Sequence, residues 1–478
     1  MTGFTTLDFA VLITYLGGIT IWGAWLGRGH KGGTDYFLGS RSLPWIAVML
    51  SVVATETSTL TFLSIPGVAY SGSLVFLQLT FGYLLGRIFV SAFLLPAYYA
   101  GSLTTAYALL EERFGLGVRR FTSAIFMVTR LLADSVRLFA TAIPLALITG
   151  WPYAASIIVI GVLTLIYTYL GGIKAVVWVD AAQMMLYLFG ALVAVAGIQV
   201  LVPGGWSSVL ASAAPEGKLA MLDLSLDRMT AYTLWAGILG GAIFTMASHG
   251  TDQLIVQRLL TCRDRQAAQK ALIGSGIAVI FQFFLFLMVG LGLWAFYEGR
   301  SFDSTDEIFA LFIVEQLPPG ITGLLIAGVF AAAMSSLSSS INSLASATAY
   351  DYWAPIVGAR DDEGRILRAG KVFTLVWAGL LTLGAVLFIP LSSGTTAVEV
   401  ALGIASLVYG GLLGAFALGI FTKRPGQVAV IIGVVVGIGT VTILRNEMAW
   451  PWYVLVGSVV TFVAGSFVGL FESQKHSV

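Results

Sequence analysis

The sequence predicts an all-α polytopic membrane protein with about thirteen transmembrane helices. Three observations support this fold class: 58% of the 478 residues are hydrophobic, only 10% are charged, and long apolar runs recur along the whole chain. A helix of about 20 apolar residues crosses the hydrocarbon core of a bilayer. A soluble domain has no use for so much apolar surface, so the bilayer is the first expected partner.

Polar or glycine- and proline-containing connections divide the apolar sequence into thirteen segments, each bounded to within a few residues. The predicted spans are 7–27, 45–70, 74–99, 121–149, 153–169, 176–202, 230–256, 272–296, 321–349, 372–389, 397–421, 428–444 and 452–471. The first span lacks the basic flank and cleavage site of a signal peptide, so we expect it to be retained. An odd number of spans places the termini on opposite sides of the membrane.

Basic residues are distributed unequally between the two sets of connecting loops. With the N-terminus outside, the external loops hold only Lys218, Arg228, Arg300 and Arg445. Eighteen of the 25 lysines and arginines, Arg258 among them, then fall on the inner side. Such a bias toward the cytoplasmic side sets the orientation of multi-pass proteins. We therefore expect a protein of the cytoplasmic membrane, with its N-terminus outside and its C-terminus inside.

Two of the spans contain polar interruptions. The second span is interrupted by ATETST at 54–59, and the seventh by SHGTDQ at 248–253. The two spans lie five apart, so they occupy corresponding positions in two five-helix halves of opposite topology. Unwound backbone at membrane depth is tolerated only where it lines a cavity or binds something. The pair therefore predicts a secondary transporter with a binding site near the bilayer midplane.

The ninth span contains the serine-rich stretch AAAMSSLSSSINS, from residue 331 to 343. Small residues allow close helix packing, so a tightly packed polar seam is one interpretation. The other is a cation site, because hydroxyl and carbonyl oxygens suit a hard monovalent ion. At 3.6 residues per turn, Ser335, Ser338 and Ser339 share one helix face, while Ala332 and Ser336 share an adjoining one.

Other classes of function lack the residues they need. Cys262 is the single cysteine, so neither a disulfide framework nor a cysteine metal cluster can form. No basic patch suited to nucleic acid occurs. No metal-ligand set, nucleophile–base pair or nucleotide-binding loop indicates an enzyme. We expect a small-molecule solute as the partner, and a monomer suffices for this activity, although the sequence does not define the oligomeric state.

Six motifs in chain order resemble those of the sodium:solute symporter family, whose members have a LeuT-type core of ten helices. They are DYFLGSRSLPW, TTAYALLEERFG, YTYLGGIKAVVWVDAAQ, GTDQLIVQR, AGVFAAAMSSLSSSINS and YGGLLGAFALGIF. Each motif is weak alone, but together they extend from about residue 35 to 424. The resemblance implies a LeuT-type 5+5 inverted repeat with one extra N-terminal and two extra C-terminal helices.

The resemblance also implies a division of the chain. Its parts are an N-terminal helix and cytoplasmic loop (1–43), a first repeat (44–202), an external loop (203–229), a second repeat (230–424) and two C-terminal helices with a short tail (425–478).

A first sodium site is implied at positions that match the family's motifs. Backbone carbonyls at the first helix break join residues of the eighth core helix, and the matching residues here are Ala54, Thr57, Ala332, Ser335 and Ser336. Carbonyl and hydroxyl oxygens replace the hydration shell of Na⁺ without a full charge, which suits both binding and release.

A second sodium site occurs in only some family members. The matching residues are Asp180, Ser338 and Ser339, together with Ser335. An acid within a span needs a partner. The alternative is that Asp180 lies at a solvated helix start, where Lys174 pairs with it.

The solute site is expected at the two helix breaks and on the third core helix. That helix carries Arg130, Asp134 and Arg137 on one face. If the first two pair, Arg137 is left as a surplus positive charge that favours a carboxylate or other anion. In sialic acid carriers of the family an arginine on this helix binds the solute, and either arginine could match it. The remaining solute-binding candidates are Ser58, Thr61, Phe76, Thr80, Thr245 and Ser248.

The predicted function is sodium-coupled secondary active import of a small organic solute by alternating access. One alternative is proton coupling, with Asp180, Glu56 or His249 titrating. Another is a membrane solute sensor built on the same core. Glu56 and His249 flank the helix breaks, and Glu399 is a further acid within a span, but the sequence assigns none of the three a role.

Overall fold

A computed structural model describes residues 4–101, 103–302, 304–389 and 397–472, and this part of the chain consists of helices and their connections. The helices of the first half are α1 (Thr6–Leu26), α2 (Gly33–Leu38), α3 (Trp45–Glu56), α4 (Thr59–Ser71), α5 (Leu77–Phe89), α6 (Leu95–Ala100), α7 (Ala108–Phe114), α8 (Leu116–Thr149), α9 (Tyr153–Leu201) and α10 (Gly205–Ala213). A π-helical turn, Val90–Leu94, joins α5 to α6.

The second half continues in the same manner. Its helices are α11 (Gly241–Gly250), α12 (Gln253–Leu259), α13 (Arg265–Phe296), α14 (Glu307–Gln316), α15 (Ile321–Ala347), α16 (Ala354–Ile356), α17 (Glu363–Phe388), α18 (Ala397–Phe421), α19 (Gln427–Leu444) and α20 (Pro451–Val468). The π-helical turns Ala236–Gly240 and Thr348–Trp353 precede α11 and α16.

Helices occupy all thirteen predicted spans. Within the described residues, nine helices are long and apolar enough to cross a membrane, and the bent pair α3–α4 makes up to ten. Helix α9 has 49 residues, or about 74 Å at 1.5 Å per residue, so it supplies two spans. Helix α8 and the pair α11–α12 occupy the remaining predicted positions. The protein is therefore an all-helical, multi-pass membrane protein.

The connection between the fifth and sixth predicted spans is a kink and not a loop. Gly172 has φ 54° and ψ −155°, while the chain on either side is helical. A Cβ atom at this position would lie 2.6 Å from the carbonyl oxygen of Tyr36. Only glycine adopts such a backbone without strain and allows so close an approach. One residue therefore separates the two spans where the sequence predicted a six-residue connection.

Both predicted helix breaks are confirmed. Helices α3 and α4 meet at 61°, with Thr57 and Ser58 outside helical geometry. The Ser58 side chain caps α4 by accepting from the N–H of Thr61. At the second break, Asp252 caps α12 by accepting from the N–H of Leu254 at 2.9 Å. The second half of each broken helix thus begins with a polar cap.

Helix α15, which carries the serine-rich stretch, lies at the centre of the bundle. It packs against α9, α1, α8, α17 and α3, and nearly every side chain along it is buried. The extra N-terminal helix is fixed to it, because Asp8 accepts from the backbone N–H groups of Gly320 and Gly323 at 2.7 and 2.8 Å. Helices α19 and α20 pack against each other and against α18. The boundaries of the five predicted parts of the chain stay a prediction.

Candidate functional site

A cavity of about 200 Å³ lies between the two broken helices. Of the predicted solute-binding residues, five line it: Ser58, Thr61, Phe76, Arg137 and Ser248. Aromatic rings from both halves of the chain form much of its apolar wall, including stacked Phe76 and Phe283, 5.2 Å apart. A mostly apolar cleft with a few converging polar groups is the usual form of a small-molecule site.

Two predicted solute-binding residues, Thr80 and Thr245, do not line the cavity. The hydroxyl of Thr80 donates to the carbonyl of Leu77 in its own helix at 2.7 Å, and the side chain is fully buried. Thr245 faces Gly86 at the contact between α11 and α5. Both threonines lie on helix faces used for packing, which the sequence spacing did not distinguish from the cavity face.

Two of the residues predicted for the first sodium site, Ala54 and Thr57, lie at the break between α3 and α4. In a continuous helix the N–H of Ser58 would donate to the carbonyl of Ala54. Here it donates to the carbonyl of Glu56 instead. The Thr57 hydroxyl donates to the carbonyl of Val53 at 2.9 Å and accepts from Gln282 at 2.6 Å. Side-chain hydrogen bonds therefore hold the break in its non-helical shape.

The hydroxyls of Ser335 and Ser336 are buried and form no hydrogen bond within the described residues. Ser336 faces a small space beside the cavity, and Ser58 and Arg137 line that space as well. Two adjacent buried hydroxyls without a partner among the described residues are available to an ion or a water molecule. Hydroxyl and carbonyl oxygens are suitable ligands for Na⁺, and these residues fit that ion.

Asp180 is fully buried and is paired with Arg258, not with Lys174. Its Oδ2 atom accepts from the guanidinium of Arg258 at 3.1 Å and from the hydroxyl of Ser51 at 2.6 Å. Lys174 instead donates to Asp35 at 2.6 Å. The alternative of a solvated Asp180 paired with Lys174 is therefore wrong. The sequence predicts an inner-loop position for Arg258. In the structure its side chain is fully buried in the core.

Asp35, which lies outside the predicted spans, is the partner of Lys174. Burial alone would raise the pKa of this carboxyl, but hydrogen bonds from Lys174 and Ser40 outweigh it and lower the pKa to about 2. The carboxylate is thus ionised at neutral pH and ties α2 to the kink of α9.

The structure brings the serines of the predicted second sodium site close to this acid. The hydroxyls of Ser338 and Ser339 donate to the carbonyl of Ser335 at 3.0 and 2.6 Å, and Ser339 also accepts from Arg258. The Oδ1 atom of Asp180 is buried and forms no hydrogen bond within the described part of the chain. The Oδ2 atom of Asp180 therefore binds Arg258, while the Oδ1 atom is available to a second ligand.

The two arginines of α8 differ in their surroundings. Arg130 is buried, and its guanidinium donates to Asp252 and to the hydroxyl of Tyr409, with Asp134 farther away at 3.6 Å. Arg137 contacts Asp134 at 3.4 Å through one nitrogen. Its Nε and Nη2 atoms form no hydrogen bond within the described residues, and the side chain is 22% exposed. Arg137 is therefore the arginine available to a solute.

The sequence predicted a surplus positive charge on the face of α8 that carries the two arginines. Among the described residues there is no such surplus, because Arg130 pairs mainly with Asp252 and Asp134 is left to Arg137. A third pair joins Glu56 at the first break to Arg87 on α5, and the guanidinium of Arg87 also donates to Nε2 of His249 at 2.9 Å. Around the cavity three guanidinium groups are thus matched by three carboxylates.

Sequence reasoning missed Arg87, Asp252, Arg258 and Tyr409 as members of this site. The motif GTDQLIVQR contains two of them, Asp252 and Arg258, so their position beside a helix break was the available signal. The side chain of Glu399 lies outside the described residues.

Comparisons with known proteins agree with this architecture. The profile of the sodium:solute symporter family matches residues 36–437. The chain is 30% identical to the sodium/sialic acid symporter NanT of Aliivibrio fischeri, over 99% of this chain and 95% of that protein. It is also 30% identical to the human sodium/iodide cotransporter, over 90% of this chain and 68% of that protein.

A solved structure gives a similar result. This structure, of a Na⁺-coupled sialic acid symporter in a substrate-bound outward-open state, matches with a TM-score of 0.90 and 28% identity over 98% of each chain. The LeuT-type fold and the family resemblance are confirmed. Na⁺ is the coupling ion and a small solute is the cargo, so the protein is a transporter and not an enzyme. With most of its length matched by the family profile, the chain belongs to the sodium:solute symporter family.

Proposed function

We propose that the protein imports a small organic acid together with Na⁺ across the cytoplasmic membrane. In this proposal the N-terminus lies outside, and the solute enters the cavity between the two broken helices. The carboxylate of the solute binds Arg137, and Na⁺ binds at the break between α3 and α4. The unpartnered hydroxyls of Ser335 and Ser336, next to that break, are the observation on which the proposal mainly rests.

The first sodium ion would be held by oxygens from two elements. Ala54 and Thr57 contribute carbonyl groups from the break, and Ala332, Ser335 and Ser336 contribute a carbonyl and two hydroxyls from α15. An ion shared by both elements stabilises the arrangement that forms the cavity. Because a ligand shifts a conformational equilibrium only by its different affinity for the two states, this bridging is what would couple Na⁺ to the solute.

The proposed solute site lies at the side of the Arg137 guanidinium that forms no hydrogen bond within the described residues. A guanidinium with two free N–H positions can bind a carboxylate through parallel hydrogen bonds. Ser58, Thr61, Phe76 and Ser248 line the same cavity and provide hydroxyls and an aromatic surface. Sialic acid and iodide, the cargoes named for two relatives, are both anions, which agrees with this choice.

The proposal includes a second sodium site at Asp180, with Ser335, Ser338 and Ser339. Within the described residues, the buried Oδ1 atom of Asp180 and the buried hydroxyl of Ser335 form no hydrogen bond, and this supports the second site. Arg258 would remain on the other carboxylate oxygen. A second Na⁺ would add its charge to the driving force, about 2.3 kcal/mol per charge for each 100 mV of membrane potential.

Uptake into proteoliposomes tests the proposal. Purified protein is assayed with radiolabelled sialic acid and with short monocarboxylates, using an inward Na⁺ gradient or an equal choline gradient at fixed pH. We expect uptake of at least one acid that requires Na⁺. With two Na⁺ for each monovalent anion a net positive charge enters, so uptake should then increase with an inside-negative potential, whereas one Na⁺ with one anion carries no net charge. Undiminished uptake in choline would contradict sodium coupling, and Na⁺-driven uptake of neutral sugars only would contradict an acid as the solute.

A further inference from the structure

Glu56 is an acid at the wall of the solute cavity, at the last position of α3. The C-terminal end of a helix carries partial negative charge, so a carboxylate there needs a cation. Arg87 on α5 provides it, through a hydrogen bond to the Oε2 atom of Glu56. The ion-pair contact with His249, at 3.6 Å, involves the same oxygen.

The protonation of His249 follows from its neighbours. A guanidinium can only donate hydrogen bonds, so Nε2 of His249 must accept the one from Arg87 at 2.9 Å. The proton of the neutral imidazole is then on Nδ1, from which it is donated to the hydroxyl of Ser248 at 2.9 Å. Glu56 is thereby fixed between residues of α5 and α11, and the imidazole does not compete for its second oxygen.

The Oε1 atom of Glu56 has no partner within the described residues, and the side chain is 17% exposed. Glu56 lines the solute cavity, so this oxygen is the one available to a solute. Ser58, two residues along the chain, lines both this cavity and the small space at Arg137. The carboxylate of Glu56 and the guanidinium of Arg137 can therefore both contact one solute in this cavity.

We propose that Oε1 of Glu56 is a second anchor of the solute site, which accepts a hydrogen bond from a hydroxyl or ammonium group of the organic acid. This inference rests on the proposed function, in which Arg137 binds the carboxylate. The solute class is then a hydroxy or amino acid in the broad chemical sense: a carboxylate with a donor group at some distance along the molecule.

The selectivity comes from desolvation. When the cavity closes around a solute that has no donor, Oε1 loses its water and gains nothing, and an unpaired charged acceptor is costly. A site built to bind a hydroxyl or amine rejects the analogue that lacks it far more strongly than an apolar pocket rejects a missing methylene. Glu56 would therefore exclude plain fatty acids that Arg137 alone would accept.

The test uses three acids of equal length: hexanoate, 6-hydroxyhexanoate and 6-aminohexanoate, with butyrate, 4-hydroxybutyrate and 4-aminobutyrate as a shorter set. Dissociation constants are measured by thermal shift of the purified protein in NaCl. We expect at least one donor-bearing acid to bind roughly tenfold to a hundredfold more tightly than its plain analogue. Preference for the amine alone identifies an ammonium anchor, while preference for both identifies a hydrogen bond.

The variants are chosen to separate recognition from folding. Glu56→Gln alone leaves Arg87 buried without its acid, so the double variant Glu56→Gln with Arg87→Gln is made as well. In the double variant we expect the selectivity ratio to fall at least fivefold, while stabilisation by Na⁺ alone is retained. Glu216→Gln, the same chemical change at an exposed loop position, should leave the ratio unchanged.

The outcomes distinguish this inference from the proposed function. If no acid of either set, and no sialic acid, is bound or transported with Na⁺, the organic-acid function itself fails and the inference fails with it. If plain acids bind as tightly as their donor-bearing analogues, Arg137 keeps its role and only the Glu56 anchor is overturned. An unchanged selectivity ratio in a folded double variant also overturns it.

Discussion

Arg258 on α12 donates to Asp180 on α9 at 3.1 Å, and both side chains are fully buried. The same guanidinium contacts Ser51 on α3 and Ser339 on α15. One arginine thus joins one half of each broken helix, α3 and α12, to the serine-rich helix and to the acid of the predicted second sodium site. Any ion that binds Asp180 must share its carboxylate with this arginine.

We expect removal of either partner of this pair to be strongly destabilising. Asp180→Asn leaves a guanidinium buried without its acid, and Arg258→Gln leaves an unpaired carboxylate, each at a cost of about 3–5 kcal/mol. The double variant removes both charges and should recover part of the loss. Thermal unfolding of the two single variants and the double variant in detergent measures the coupling. Strictly additive effects would mean that the pair contributes no interaction of its own.

The sodium dependence of stability should be sensitive to Ser336. Ser336→Ala removes one of two unpartnered hydroxyls beside the helix break, so we expect the Na⁺ concentration for half-maximal stabilisation to rise about tenfold, the effect of losing one ligand worth about 1.4 kcal/mol. Thermal shift across a NaCl series, with choline chloride keeping ionic strength constant, gives this value.

Ser343→Ala is the matched control for that experiment. Ser343 lies on the same helix and is also buried, but its hydroxyl already donates to the carbonyl of Ser340 at 3.2 Å. Its sodium dependence should match the wild type. Equal shifts in both variants would assign the effect to packing of α15 and remove Ser336 from the ion site.

The fold was predictable because its main signals are local. Apolar length defines each span, the interruptions at 54–59 and 248–253 define the breaks, and the motifs define the family. The partners in the site were less predictable, since ion pairs such as Arg258–Asp180 and Arg87–Glu56 join residues 78 and 31 positions apart. Spacing on one helix also suggested Arg130–Asp134, whereas the closer partner of Arg130, Asp252, comes from another helix.

Arg137 should determine affinity for the carboxylate. Arg137→Lys keeps the charge but loses the planar pair of donors, so we expect the dissociation constant for a transported acid to rise about tenfold or more. Binding of Na⁺ without solute should change little. Arg263→Lys, the same substitution at a residue whose side chain is 80% exposed, is the control. An unchanged dissociation constant in Arg137→Lys would assign the carboxylate to another group.

Gly172 should be intolerant of any side chain, because two independent constraints act on it. Its φ of 54° with ψ of −155° is a backbone that L-residues avoid, and a Cβ would lie 2.6 Å from the carbonyl oxygen of Tyr36, which is backbone and cannot rotate away. We expect Gly172→Ala to lower stability by about 3 kcal/mol or more.

Gly379→Ala is the matched control for the kink. Gly379 lies within α17, and a Cβ there would meet nothing within 4 Å, so alanine should raise stability by up to about 1 kcal/mol. The melting temperatures of the two variants should therefore move in opposite directions from that of the wild type. If Gly172→Ala melted at or above the wild-type temperature, α9 would have to continue through residue 172 without the kink, and the two spans would not be separated there.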